Sequence, residues 1–185
     1  DQDIRNLRPF LPTDRAIRSR IALLHRDGKV AVLTEGFAGA RDPDVSFDAA
    51  TILFAGRRKA SDRWTIYETA LDGSRLRQTV DLLEDCLDPI YLPDGRILFS
   101  RFTKKTKSPE AALFACRPDG SELQRLTFHF GIDLGASLLQ DGRVLFTNWR
   151  YNEKLGRWFP RLFTISSDGT GVTAIREALS GPDAR

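Results

Sequence analysis

The string DPIYLPDGRILFS, residues 88–100, has two near-copies in the chain. DPDVSFDAATILFA begins at residue 42, 46 positions earlier, and DLGASLLQDGRVLFT begins at 133, 45 positions later. A repeat of this length constrains the fold more than any single motif does. Each copy must be one structural unit that buries its faces against the next.

The repeat extends into a second anchor: TIYETALDGSRLRQT, LFACRPDGSELQRLT and LFTISSDGTGVTAI, with an earlier half-copy in IALLHRDGKVAVLT. The Asp-Gly pairs of this anchor start at Asp27, Asp72, Asp119 and Asp168, spaced by 45, 47 and 49 residues. Each lies between β-rich runs, where Asp-Gly supplies the positive φ of a tight hairpin. Asp94-Gly95 and Asp141-Gly142 do the same inside the first anchor, while FDAAT at 47–51 lacks the glycine.

Every full unit therefore holds four short strands in a meander, the size of a β-propeller blade. The expected class is all-β, a partial propeller of about three and a half four-stranded antiparallel blades. A half-blade is expected at 21–34 and blades at 42–80, 88–128 and 133–175, after a lead-in arm at 1–20 and before a tail at 176–185. A closed ring needs four to eight blades. The missing ones are expected from a partner chain or from another segment of a longer parent. The chain opens on Asp1 and has no Met, so a processed product or a fragment is expected.

Composition supports a globular chain: 41% hydrophobic and 29% charged, with a net charge of +3. No apolar run approaches the roughly 18 residues of a membrane span. Cys86, read as a loop residue, and Cys116, read as a strand residue, do not make a disulfide framework. His25 and His129 have no second ligand at metal spacing and read as isolated surface or turn histidines. Turn chemistry alone accounts for the lone Asp beside each Gly, without calcium.

With the copies aligned, the chain resembles the TolB-type propeller repeat, in Asp88-Pro89 with Pro93-Asp94-Gly95, then Pro118-Asp119-Gly120-Ser121 and Leu126-Thr127. RDPDVSFD, DPIYLPDGRILFS and DGRVLFTNWRYNEKLGRWFPRLFTISSDGT further resemble the propeller region of proteins related to the hydrazine synthase alpha subunit, over about 20–175. The resemblance implies an exported bacterial protein, periplasmic or extracellular. It leaves room for c-type haem in the parent or a partner. It carries over no catalytic residue, and the chain itself has no Cys-x-x-Cys-His, so no cofactor is expected within it.

The loops between the second and third strands of each blade are basic: GRRKASDR, RFTKKTKSPE and RYNEKLGRWFPR, each with a net charge of +3. Propeller geometry gathers them on one rim, so the candidate partner-binding residues are Arg57, Arg58, Lys59, Arg101, Lys104, Lys105, Lys107, Trp149, Arg150, Tyr151 and Trp158. The acidic stretch VDLLEDCLD shares that rim and could neutralise part of it. The aromatics suit either an interface or packing onto their own blade.

The function expected is a non-catalytic scaffold or protein-interaction module in a larger exported assembly. Its partners would be other propeller blades, an acidic protein or a cytochrome. The alternative is the propeller portion of a hydrazine-synthase-like multihaem redox enzyme whose haem sites lie outside the chain. Nucleic-acid binding would rest on charge alone, without a motif.

Overall fold

The computed structural model describes residues 18–103 and 110–175. Its strands are β1 (Ala22–Leu24), β2 (Val30–Val32), β3 (Gly39–Val45), β4 (Thr51–Arg57), β5 (Thr65–Ala70), β6 (Arg77–Gln78), β7 (Cys86–Tyr91), β8 (Ile97–Thr103), β9 (Glu110–Cys116), β10 (Gln124–Arg125), β11 (Ile132–Leu138), β12 (Val144–Asn152), β13 (Arg157–Ile165) and β14 (Thr173–Ala174). There is no helix among the described residues, and so none long and apolar enough to cross a membrane.

β1 and β2 form an antiparallel hairpin. β3–β6, β7–β10 and β11–β14 are three antiparallel meanders, each strand pairing with the next. The second and third meet through a single parallel bridge between Ile132 and Ala111. The first strands β3, β7 and β11 adjoin one another, which places them toward the common axis of an open partial propeller.

Hairpin chemistry explains the meanders. Gly28, Gly73, Gly95, Gly120, Gly142 and Gly169 all have φ between 78° and 90°. In each turn the preceding aspartate accepts the backbone N–H two residues on, at 2.8–3.1 Å. Side-chain and backbone hydrogen bonds within the turn hold Asp27, Asp72, Asp119, Asp141 and Asp168 below the usual carboxylate range. FDAAT folds the same way, with Ala49 forced to φ 54° in the glycine slot. The Leu-Thr element closes a blade. The Thr127 hydroxyl accepts the N–H of Leu113, and that of Thr34 accepts the N–H of Ile21.

The core lies between blades. One cluster joins the β1–β2 hairpin to the first blade through Ile21, Leu33, Phe37 and Phe54. A second joins the first and second blades around Trp64, Ile66, Leu87 and Phe99 and reaches the third at Ile132 and Leu134. A third joins the second and third around Leu98, Leu113, Val144 and Phe146. Apolar faces thus close only where blades stack.

Cys86 opens β7 and is fully buried, which corrects its reading as a loop residue. Its flanks, Asp85 and Asp88, hid the strand, because their side chains are taken up by backbone N–H donors. Cys86 and Cys116 are unpaired, and burial pushes their thiols up to about 12 and about 11. Residues 1–17 of the expected arm at 1–20, and the expected tail at 176–185, lie outside the described residues.

Candidate functional site

Two surfaces concentrate polar chemistry: a cleft at the axis and a basic rim. The axial cleft, about 340 Å³, is lined by the bulged halves of β3, β7 and β11. At its base Asp42, Asp88 and Gly135 occupy equivalent positions with φ 54°, 51° and 65°. Left-handed backbone is costly for most residues, but Asp tolerates it where its side chain finds a hydrogen bond. Here it does so across blades. Asp42 accepts the N–H of Asp88 at 3.3 Å, and Asp88 accepts the N–H of Gly135 at 2.9 Å.

A second tie runs alongside. Asp44 accepts the N–H of Tyr91 at 2.7 Å, and the Tyr91 hydroxyl donates to Glu68 at 2.8 Å. Burial first, and then the charge of Asp42, raise Asp88 well above the usual carboxylate range, to about 7. Burial also raises Asp44. These carboxylates point at backbone N–H groups of the neighbouring blade, so their chemistry is adhesion between blades. Among the described residues no group of three His, Cys, Asp or Glu could hold a metal ion.

The rim divides the expected basic residues into unlike groups. Arg57 is only 2% exposed, with its guanidinium 4.7 Å from the Trp64 ring centre. It is therefore a packing residue rather than a rim charge. Arg58 lies over Phe37 at 4.0 Å but remains exposed, as does Lys59, whose backbone N–H is held by Asp62. Arg101 pairs with Glu84 at 2.8 Å and lies over Phe114. The acidic stretch thus neutralises the rim at this point. The structure of Lys104, Lys105 and Lys107 lies outside the described residues.

The third loop differs. β12 and β13 are nine residues each, against seven for β8 and β9, and form a ribbon around the turn at 153–156. Cross-strand pairs Trp149–Pro160 and Tyr151–Trp158 share one face. Trp149 and Trp158 pack against the core cluster that runs from the first two blades into β11 through Ile132 and Leu134. Asn148–Arg161, Arg150–Phe159 and Asn152–Arg157 share the other face. That face borders a cleft of about 850 Å³ lined by Arg150, Lys154, Phe159 and Arg161, among others.

Beneath Arg150 runs a polar relay the sequence did not disclose. The Arg150 Nε–H donates to Asn148 Oδ1 at 2.7 Å, and Asn148 Nδ2–H donates to Asp133 Oδ1 at 2.7 Å. His129 Nε2 lies 2.9 Å from the same Asp133 oxygen, with its ring stacked 5.5 Å from Phe163 and 5.9 Å from Phe146. His129 is therefore a paired, half-buried residue rather than an isolated turn histidine. The four-residue step from His129 to Asp133 was a usable signal. Asn148, the buried link in a strand, gave none.

The geometry defines a class: an open β-propeller of the TolB-like kind, and comparison with known proteins agrees. A putative TolB from Agrobacterium tumefaciens superposes with a TM-score of 0.68 at 20% identity, over 88% of this chain and 58% of that one. Hydrazine synthase from Kuenenia stuttgartiensis superposes with a TM-score of 0.79 at 22% identity, over 91% of this chain and 30% of that one. In sequence, hydrazine synthase subunit alpha of Kuenenia stuttgartiensis is 42% identical over 80 residues, 43% of this chain and 10% of that protein. The chain thus has a TolB-like propeller fold, and part of it is similar in sequence to hydrazine synthase subunit alpha, of whose length it spans only a small part. No family model matches.

Proposed function

We propose that the chain is a non-catalytic propeller module that joins a larger exported assembly by stacking its end blades on further blades. One observation carries this reading. The outward face of the β1–β2 hairpin is apolar throughout, with Ala22, Leu24, Val30 and Val32 all exposed, Leu24 by 71% and Val30 by 66%. The opposite face, through Leu23, packs on the first blade as blades pack throughout the molecule. An apolar sheet face in this setting marks an interaction surface. The occupant that matches its shape is another blade, from a partner chain or a longer parent.

A second reading rests on the 42% identity to a synthase subunit. In it the module is the propeller portion of a multihaem redox enzyme whose haem sites lie outside these residues. Isolation of the native protein, with identification of co-purifying chains and a pyridine haemochrome spectrum, separates the two. A c-type band in the parent or partner selects the enzyme. For assembly itself, sedimentation of the chain against Leu24→Asp/Val30→Asp is the test. A monomer at micromolar concentration in both would defeat stacking through this face.

A further inference from the structure

We propose that the basic face of the β12–β13 ribbon is a docking site for a carboxylate-rich segment of a partner protein. The inference names a partner chemistry and rests on the reading of the chain as an interaction module, but it uses a different surface from the hairpin face that stacks on blades.

Four observations converge on the ribbon. Register places Arg150, Arg157 and Arg161 on one face, all exposed, with Lys154 in the turn between the strands. The only acidic side chain in the ribbon is Glu153. Elsewhere the described arginines are repeatedly matched to carboxylates: Arg41 to Asp42, Arg77 to Glu68, Arg96 to Asp94, Arg101 to Glu84, Arg117 to Glu122 and Arg143 to Asp141. No such ion pair forms on the ribbon among the described residues. Among the described residues its cations meet neutral groups, Arg150 at Asn148 and Arg157 over the Phe159 ring at 4.7 Å.

The second observation is orientation. Arg150 is aimed by the relay through Asn148 to the fully buried Asp133. A guanidinium held by its Nε keeps its two terminal nitrogens for a ligand, which suits the fork of a carboxylate. The third is shape. Two extra residues per strand lift the ribbon roughly 7 Å beyond the length of β8–β9. It borders a cleft of about 850 Å³.

The fourth decides between polyanions. Nucleic-acid strands are held by exposed aromatics that stack bases beside the cations. Here Trp149 and Trp158 lie on the other face, packed against the core. Tyr151, the exposed aromatic at the cleft, leans tilted on Trp158 at 5.6 Å instead of presenting a row of stacking rings. Phe159, on the basic face, is half-buried beneath Arg157. A carboxylate-bearing segment laid along the cleft meets Arg150, Lys154 and Arg161 against the single acid Glu153, with Arg157 on the same ribbon face, and needs no stacking surface.

The probe is a fluorescein-labelled oligoglutamate peptide of about ten residues, titrated with the full chain and read by anisotropy across about 50 to 500 mM salt, over which screening removes exposed charge attraction. Arg150→Glu/Arg157→Glu/Arg161→Glu is expected to weaken binding by more than about tenfold. Arg26→Glu/Lys29→Glu/Arg75→Glu, an equal change of charge on turns outside the ribbon, is expected to shift it less than about twofold. The neutral Arg150→Gln/Arg157→Gln/Arg161→Gln variant gives an intermediate loss and, with circular dichroism melts, guards against misfolding. Equal losses in ribbon and control variants, absence of binding, or tighter binding of an oligothymidylate of the same charge would each overturn the proposal. Leu24→Asp/Val30→Asp should abolish assembly yet keep peptide binding, so failure of the stacking surface and failure of this site are read separately.

Discussion

The β8–β9 pair of the second blade and the β12–β13 pair of the third occupy the same place in the repeat, yet they are built on opposite principles. β8 and β9 are buried along almost their whole length, with Leu98, Phe99, Leu113 and Ala115 all sealed. β12 alternates buried and half-buried residues and then becomes exposed, as does the facing end of β13. The middle blade has neighbours on both faces, so each of its residues meets another blade and apolar runs are required. The last blade has one described neighbour, so one face is released from packing. The basic residues continue the face that Val144 and Phe146 bury against the second blade, so the difference teaches that specialisation begins where these strands run past the length of their neighbour's.

The widest test of that contrast is removal of one large side chain from each blade. Phe99→Ala should cost about 3–5 kcal/mol in urea unfolding, since its ring fills the space between two blades. Leu162→Ala, at the exposed face of the third blade, should cost less than about 1 kcal/mol in the chain alone. Equal costs would erase the distinction. A larger cost for Leu162→Ala in the native assembly would show that this face is covered there.

A smaller effect should come from the axial tie that the middle blade makes to the last. Asp88 has a folded-state pKa raised from 3.8 to about 7, so the acid form favours the native state. Its contribution is complete below 3.8 and declines as pH rises through about 7. Asp88→Asn keeps an acceptor for the Gly135 N–H and removes the ionisation. The stability difference between wild type and variant should move by on the order of 2 kcal/mol across this window, in favour of the variant at higher pH. Parallel pH profiles would remove the carboxyl from the account.

The smallest effect sharpens the comparison among turns. Ala49→Gly should stabilise the first blade by about 1 kcal/mol, because alanine there pays the left-handed backbone penalty that Gly95 and Gly142 avoid in the other two blades. Thermal melts check the sign. A destabilised variant would show that flexibility of the unfolded chain outweighs the relief of strain.

The class of fold was legible because Asp-Gly turns and apolar runs recur together, and both arise from local chemistry. The short outer strands β6, β10 and β14, two residues each, carry no pattern of their own and are set by pairing alone. The sequence sets the basic loops and the acidic stretch on one rim, but charge counts do not say which cation each acid takes. Arg57 is drawn inward by Trp64 and Arg101 is engaged by Glu84, whereas the ribbon keeps its cations outside. The axial tie also leaves a mark in the sequence. Aligning Asp42 and Asp88 with Gly135 exposes a glycine at a position where two blades use aspartate, the mark of left-handed backbone.

That alignment gives the array a grammar. Asp42 grips the blade after it, and Asp88 is gripped and grips in turn, while Gly135 is gripped and has no side chain with which to pass the hold along. The second blade is thus a word that can follow itself, and a tandem duplicate of residues 86–131 would meet its own copy with donor and acceptor matched. The third is a full stop: whatever is read after it must be joined by other means.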